Sequence, residues 1–331
     1  ATDWAPSEYF QVKDEQLNGA LKTNGYSVLK NFFSNEIIAE LNEVYRTTHH
    51  LNDPAGGVFV SLYSKNLNYR KNVHEQIKAL VEPSLNRIFL NYKVTCYNYI
   101  VKVPGPSSGL FIHQDMALCD EKIFSPVSIW FPLRDLTFQD GPMCVLPKSH
   151  YLIPPHRNLY NKLPFSDIYN VVADFMQPLI MNAGDLLVFD SRLFHTSPIN
   201  HSGKSRVAVA ASFFPANCNF QMLYKEPGQT SNEFELIELA DNFFLEFSDF
   251  ISEKVGRLPG RLLGNITSEP LPVSEKQLLD FCGEVDIERT GFSKFYTGGG
   301  TNTIAEHKKA APSALAKMKS FFKMFTNVSN A

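Results

Sequence analysis

The chain has little sulfur chemistry to offer. Its five cysteines (Cys96, Cys119, Cys144, Cys218 and Cys282) are odd in number, far apart and never in a CxxC pair. That spacing speaks against a structural zinc site or a disulfide framework and for reduced thiols. Also missing is any apolar run near the ~20 residues that span a bilayer. No charged-then-apolar secretory pattern is present either, so a cytoplasmic protein is expected. Charge of one sign is lacking too: 31 Lys and Arg stand against 34 Asp and Glu, a net charge of −3. A dedicated nucleic-acid binder would carry a basic face, so nucleic acid is not the expected partner. What the chain does have is 44% hydrophobic residues and 27 Phe in 331 positions, enough for a sizeable core.

The first ninety residues alternate helix and strand signals. LNGALKTN predicts a short helix stopped at Asn24-Gly25, followed by a strand through Tyr26, Val28 and Leu29. Ser34 is a good N-cap, with Glu36 in the first turn where the helix dipole favours an acid. Ile37, Ile38, Leu41, Val44 and Tyr45 then recur at helical spacing to about Thr48, and a second helix is expected over 73–89. From residue 92 the texture is β: KVTCYNYIVKV, SPVSIWFPL, GPMCVLP, QPLIMN, DLLVFDS and SRVAVAASFF are short strand-like runs, several separated by Gly- or Pro-containing turns. Many short strands after a helical prelude suggest an antiparallel sandwich or barrel backed by helices. After about residue 230 helix is expected again, above all in NEFELIELADNFFLEFSDFISEKV. The expected division is a core of residues 1–229 with N-terminal helices, and a helical C-terminal extension, 230–331, packed on or beside it.

The chemistry starts at FIHQD. In an extended segment residues two apart point the same way, so His113 and Asp115 can reach one point while Gln114 faces elsewhere. H-x-D alone is weak, and by itself an ordinary His and Asp at a strand end explain it better. A third ligand changes the weighing. His195, in DLLVFDSRLFHTSP, follows a buried-looking strand that would deliver it to the interior or rim of the sheet. Two His and one carboxylate form the facial triad that suits non-haem Fe(II) and leaves positions open for a co-substrate and O₂. Eleven residues on, Arg206 would lie deep in the same cavity if its strand pairs beside that of His195. A buried guanidinium needs an anion, and no protein acid is an obvious partner, so a ligand carboxylate is the candidate. The bland reading of Arg206, a surface residue at the start of an exposed strand in GKSR, stands beside this one.

H-x-D, a distal His about eighty positions later and an Arg eleven after it resemble the pattern of Fe(II)- and 2-oxoglutarate-dependent oxygenases. More closely, the chain resembles the phytanoyl-CoA dioxygenase family, through LKTNGYSVLKNFFSNEIIAEL, FIHQD, SIWFPLRDLTFQDGPMCVLPKSH and GDLLVFDSRLFHTSPINHSGKSR. The match covers roughly residues 16 to 216. The resemblance implies a mainly β fold, a double-stranded β-helix (jelly-roll, cupin-like) core with iron at its open end. It implies that His113, Asp115 and His195 hold Fe(II) and that Arg206 clamps the far carboxylate of 2-oxoglutarate. Ser197 matches a position that assists that carboxylate, Trp130 an aromatic position beside the co-substrate, and Asn98 or Lys102 a further polar contact. Trp130 also reads as a plain core aromatic. The implied cofactors are Fe(II), 2-oxoglutarate as co-substrate and O₂. The implied reaction is oxidation of an unactivated C–H bond, hydroxylation by default, with desaturation or oxidative ring closure as variants. Related halogenases have a small residue in place of the carboxylate; Asp115 stands here, which argues against halogenation.

The family's substrates are diverse, so the substrate has to be sought at the mouth. Lys148, His150, His156 and Arg157 in KSHYLIPPHR, together with Arg192, could receive a carboxylate or phosphate, and Phe111 or Phe194 an apolar part. Solvated surface charge is the alternative for each basic residue. The expected partner is a small or medium, anionic small-molecule substrate. SALAKMKSFFKMF places Leu315, Met318, Phe322 and Phe325 on one stripe with lysines elsewhere, which fits docking on the protein or, less readily, contact with an anionic membrane surface. Three competing readings are open. AlkB-type nucleic-acid demethylases carry a second Arg six residues after the clamp, where this chain has Ser212. Jumonji-type protein demethylases anchor 2-oxoglutarate through a Lys placed elsewhere. A catalytically inactive jelly-roll scaffold would be free to lose the ligands that this chain keeps.

Overall fold

A computed structural model describes residues 8–49, 57–152, 157, 163–226, 229–247, 258–268 and 272–296. Helix α1 (Glu15–Asn24) is capped by the Asp14 carboxylate and ends on Gly25, whose φ of 80° is left-handed. No side chain fits there, because a Cβ on Gly25 would lie 2.5 Å from His150 Nδ1. β1 (Tyr26–Leu29) follows, then α2 (Asn35–Thr48) with the expected Ser34 cap. After β2 (Gly57–Val60), α3 runs Leu67–Leu85, beginning six residues before the expected start because Asn66 caps it. KVTCYNYIVKV is two strands, β3 (Tyr92–Val94) and β4 (Asn98–Val103). Next come β5 (Leu110–His113), β6 (Val127–Pro132), β7 (Met143–Val145), helix α4 (Tyr169–Ala173), β8 (Gln177–Leu179), β9 (Leu186–Asp190), β10 (His195–Ser197) and β11 (Arg206–Pro215).

These strands make two sheets, antiparallel throughout. The larger has the order β1-β9-β6-β11-β4-β2, with β3 also on β11; the smaller is β5-β10-β7-β8. Neighbours that are distant in sequence are the mark of a jelly roll. Strand alternation sorts the larger sheet's side chains. Tyr99 and Val101 of β4, Val127, Ile129 and Phe131 of β6, and Val209, Ala211 and Phe213 of β11 pack with Leu17, Leu21, Leu41, Val73, Ile77 and Val81 of the three helices. The opposite parity faces the smaller sheet, where Trp130, Leu187 and Ala208 meet Met143 and Val145 of β7. On that inner parity lie Asn98 and Lys102 of β4, Ser128 and Trp130 of β6, and Arg206 and Ser212 of β11. Cross-strand register makes partners of Lys102 and Arg206, of Asn98 and Ala210, of Trp130 and Ala210, and of Ser128 and Ser212.

After residue 230 the structure corrects the expectation of helix at the start of NEFELIELADNFFLEFSDFISEKV. β12 (Gln221–Tyr224), β13 (Glu233–Glu238) and β14 (Arg261–Thr267) form a third antiparallel sheet. NEFELIEL mimics a helix because its apolar Phe234 and Ile237 stand three apart, and both prove to be buried. In the strand three residues apart means opposite faces, and both faces of β13 carry apolar residues. Among the described residues, the helices of the extension are α5 (Phe243–Glu246), α6 (Glu275–Glu284) and α7 (Ser293–Tyr296). Leu278 and Cys282 of α6 pack with Ile112 of β5 and Cys144 of β7 on the outer face of the smaller sheet. The stripe Leu315, Met318, Phe322 and Phe325 lies outside the described residues, as does His156. No described helix is long and apolar enough to cross a membrane.

A buried ion pair joins the sheet to the N-terminal segment. Arg192 Nε donates to Asp190 Oδ1 at 2.7 Å, its Nη2 reaches Asp190 Oδ2, and the Tyr9 hydroxyl donates to the same Oδ2 at 2.7 Å. Burial pushes the Asp190 pKa up, but the Arg192 guanidinium, with His150 and the Tyr9 hydroxyl, more than offsets it and the carboxyl stays below its ordinary value. Arg192→Met removes one partner and leaves a carboxylate sealed in the fold. The expected loss is about 3–5 kcal/mol, read from chemical denaturation, against a change near zero if the pair were solvated.

Candidate metal centre and co-substrate pocket

β5 and β10 are neighbours in the smaller sheet, and their register sets His195 directly opposite His113. The two imidazole centroids are 4.2 Å apart. Each ring is held in the same manner by the carbonyl two residues earlier: His113 Nδ1 lies 2.8 Å from Phe111 O, and His195 Nδ1 2.9 Å from Leu193 O. A carbonyl only accepts, so both Nδ1 atoms carry the proton and both Nε2 lone pairs are left for a ligand bond. Burial, and after it His195, pushes the His113 pKa down to about 4, which keeps that ring neutral.

Asp115 lies just past β5. Its N–H donates to Ser191 O at 2.9 Å, its carbonyl accepts from Arg157 Nε at 2.9 Å, and its Oδ2 accepts from the Ser128 hydroxyl at 2.9 Å. The other oxygen, Oδ1, is 3.7 Å from His195 Nε2. One donor atom from each of His113, Asp115 and His195 falls within 4.8 Å of the other two, a group able to hold a metal ion. Two neutral imidazoles and one carboxylate on one face fit Fe(II) with open positions better than closed zinc.

Arg206 is fully buried on the inner face of β11. Nη1 donates to Gly141 O and, at 2.9 Å, to Ser197 Oγ, and the guanidinium carbon is 5.1 Å from the Trp130 ring centroid. Its Nε has no hydrogen-bond partner, and no carboxylate pairs with it among the described residues. Burial therefore pushes its pKa down to about 9. A desolvated cation with one donor unspent fits the carboxylate of a bound acid. The surface reading of Arg206 is ruled out.

The neighbours expected around it are placed less uniformly. Ser197 Oγ donates to Gly141 O at 2.8 Å while accepting from Arg206, so it steadies the guanidinium. Trp130 is at once a core aromatic and the platform under Arg206. Lys102, fully buried beside Arg206, directs Nζ at the carbonyls of Ser197 (2.9 Å) and Pro198. Asn98 donates to Ala210 O at 2.9 Å and keeps an unpartnered, buried Oδ1 on the inner face.

The basic residues assigned to the mouth need correcting. Arg192 is spent on Asp190 inside the fold and offers nothing to a substrate. Arg157 grips the buried Glu121 with both guanidinium ends, Nη2–Oε1 being 2.7 Å, besides holding the Asp115 carbonyl. Lys148 Nζ is 3.3 Å from Val285 O on the C-terminal extension. His150 is fully buried, its ring 4.1 Å from that of Tyr151. Phe111 stays half-buried, 5.2 Å from the His113 ring, where an apolar substrate part could pack. Ser128, Ser191 and Arg157, which hold Asp115, escaped sequence reasoning as its supports; only the inner parity of Ser128 on SPVSIWFPL gave any signal.

Burial pushes the His150 pKa down to about 4. In the unfolded chain the ring titrates near the ordinary imidazole value of about 6.5 and binds the proton first, so stability is full above that pH and falls as pH drops toward 4. The shift is worth up to about 3 kcal/mol. In His150→Phe the slope of unfolding free energy across that window should flatten; an unchanged slope would assign the acid sensitivity to other groups.

The family model for phytanoyl-CoA dioxygenase (PhyH) matches residues 21–208, more than half of the chain and all four candidate anchor residues. The chain belongs to the phytanoyl-CoA dioxygenase family. Members of this family are 2-oxoglutarate-dependent non-haem iron dioxygenases that use Fe(II), 2-oxoglutarate and O₂. Two curated relatives of this PhyH protein are "Uncharacterized protein Rv1501" of Mycobacterium tuberculosis and "Uncharacterized protein Mb1539" of Mycobacterium bovis. Each is 32% identical over 101 residues, 30% of this chain and 33% of theirs. The chain spans about a third of the length of these relatives. Similar solved structures include the non-heme alpha ketoglutarate dependent carbocyclase SnoK from nogalamycin biosynthesis (18% identity, 62% of this chain and 86% of that chain, TM-score 0.43). Another is HygX from Streptomyces hygroscopicus with nickel and 2-oxoglutarate bound (14% identity, 62% and 88%, TM-score 0.44).

Proposed function

We propose that this PhyH-family protein hydroxylates an unactivated C–H bond of a small molecule, with His113, Asp115 and His195 holding Fe(II) and Arg206 receiving the far carboxylate of 2-oxoglutarate. The observation that carries the reading is the buried, carboxylate-free Arg206 on the same inner face as Ser128 and within one fold of the His-Asp-His group. The bound iron, with 2-oxoglutarate and O₂, supplies an oxidant for the C–H bond; the balance is substrate C–H, O₂ and 2-oxoglutarate to alcohol, succinate and CO₂. The chain's own part is positioning and exclusion of water. The carbonyls of Phe111 and Leu193 aim the two imidazoles, Ser197 and Trp130 fix the plane of the guanidinium, and Lys102 braces the Ser197–Pro198 backbone. Phe111, beside His113, offers the substrate an apolar contact. Lys148, Arg157 and Arg192 are held by protein partners and His150 is buried, so the proposal is for a small molecule without a specified charge.

The test is O₂-dependent succinate release with Fe(II) and 2-oxoglutarate across a panel of small molecules, peptides and oligonucleotides. A small molecule should raise release above the substrate-free rate and gain one oxygen atom by mass. Stimulation by peptides or oligonucleotides alone would overturn the small-molecule reading. No 2-oxoglutarate turnover under any condition would overturn the catalytic one.

A further inference from the structure

Asp115 has two carboxylate oxygens, and the protein treats them differently. Oδ1 faces His195 Nε2 at 3.7 Å, whereas Oδ2 accepts a hydrogen bond from Ser128 at 2.9 Å. Ser128 is buried on the inner face of β6, where a hydroxyl needs a partner. It has one proton to give, and that proton is on Asp115. Ser212 Oγ, at 3.1 Å, and Ser191 Oγ, at 3.5 Å, must therefore act as donors toward Ser128 wherever they bond to it. The arrangement is a relay of hydroxyls with its polarity fixed, running from β11 through β6 to one oxygen of the carboxylate. Register supports it: Ser128 and Ser212 are direct cross-strand partners. The rest of Asp115 is held as well, through its N–H by Ser191 O and through its carbonyl by Arg157.

We propose that Ser128 is the positioning residue of this site: by occupying Asp115 Oδ2 it holds the carboxylate in one rotamer and presents Oδ1 alone, as a single-oxygen ligand, to the metal. This rests on the reading that His113, Asp115 and His195 bind the ion. A chelating carboxylate would use two coordination positions and leave fewer for co-substrate and O₂. A carboxylate with one oxygen engaged by a hydroxyl keeps three open. Ser128 also lowers the freedom that Asp115, about one-third exposed at its side chain, would otherwise lose on binding the ion. Ser212 bonds to Ser128, which in turn bonds to Asp115.

The experiment titrates Co(II), as a spectroscopic probe, into metal-free protein without 2-oxoglutarate, following its visible absorption and, separately, thermal unfolding of the metal-free forms. Ser128→Ala should weaken Co(II) binding about tenfold or more, the scale of lost support to a metal ligand, while Ser212→Ala stays within about twofold. The near-isosteric pair Ser128→Thr and Ser128→Val separates hydroxyl from packing: Thr should bind at least about tenfold more tightly than Val, even where both unfold at lower temperature. Equal affinity in that pair, or Ser128→Ala binding as the parent does, overturns the proposal. Asp115→Ala distinguishes the underlying reading. If it binds Co(II) as tightly as the parent, the metal site itself is misassigned; if binding is lost there and unchanged in Ser128→Val, only the role of Ser128 fails.

Discussion

Asp115→Ala should abolish substrate oxidation and weaken Fe(II) binding by more than about 100-fold, beyond the range that loss of a supporting hydrogen bond produces. Asp115 is the one anionic donor in the His113, Asp115 and His195 group. Without it two neutral imidazoles face a dication with no compensating charge. The fold should survive, because the side chain is about one-third exposed and the backbone of residue 115 keeps its bonds to Ser191 and Arg157. Asp115→Asn separates the two contributions: it keeps shape and an oxygen donor but removes the charge, and should fall between parent and alanine. Metal affinity is read by anaerobic titration and activity by succinate release. A Fe(II) affinity unchanged in the alanine variant would remove Asp115 from the site.

Arg206→Met should produce an unusual pairing of effects: 2-oxoglutarate affinity falls about 100-fold or more while the free protein unfolds at the same temperature or higher. The first follows from losing charge-assisted hydrogen bonds to a buried carboxylate, about 1.5–3 kcal/mol each. The second follows from the cost of the guanidinium in the ligand-free fold. It is fully buried with Nε unpartnered, and its pKa is pushed down to about 9. A well-packed apolar chain of similar size relieves that cost, although the bonds to Gly141 and Ser197 and the Trp130 contact are lost. Arg206→Lys keeps a charge without the planar fork and should recover only part of the affinity. Thermal shift with and without 2-oxoglutarate measures both effects together, since ligand stabilises the fold only where it binds. A large loss of stability in ligand-free Arg206→Met would make Arg206 a structural residue instead.

Much of this site was legible because period-two alternation and strand order act on short, clear runs. SRVAVAASFF alternates, and once Val207, Val209 and Ala211 turn to the helices, Arg206 must turn inward. FIHQD and FHTSP each place a His at a strand terminus, and the β5–β10 pairing makes them partners. The supporting residues were not legible in the same way. Ser128 looks like any small residue in SPVSIWFPL until β6 and Asp115 are brought together across 13 positions. Arg192 and Arg157 were misread because spacing from His195 or from a turn says nothing of a buried acid waiting nearby; Asp190 and Glu121 supply those acids. The third sheet was missed because a strand with apolar residues on both faces loses its alternation, and β13 then mimics a helix.

The central claim is that the His-Asp-His group and Arg206 together form one iron and 2-oxoglutarate site. The most direct test is an anaerobic titration of metal-free protein with Fe(II) and 2-oxoglutarate, following the weak visible charge-transfer band of the chelate. The account predicts a saturable band at one equivalent of iron, absent in Asp115→Ala and requiring far more 2-oxoglutarate in Arg206→Met. No band in the parent at saturating concentrations, or a band indifferent to both substitutions, would contradict it.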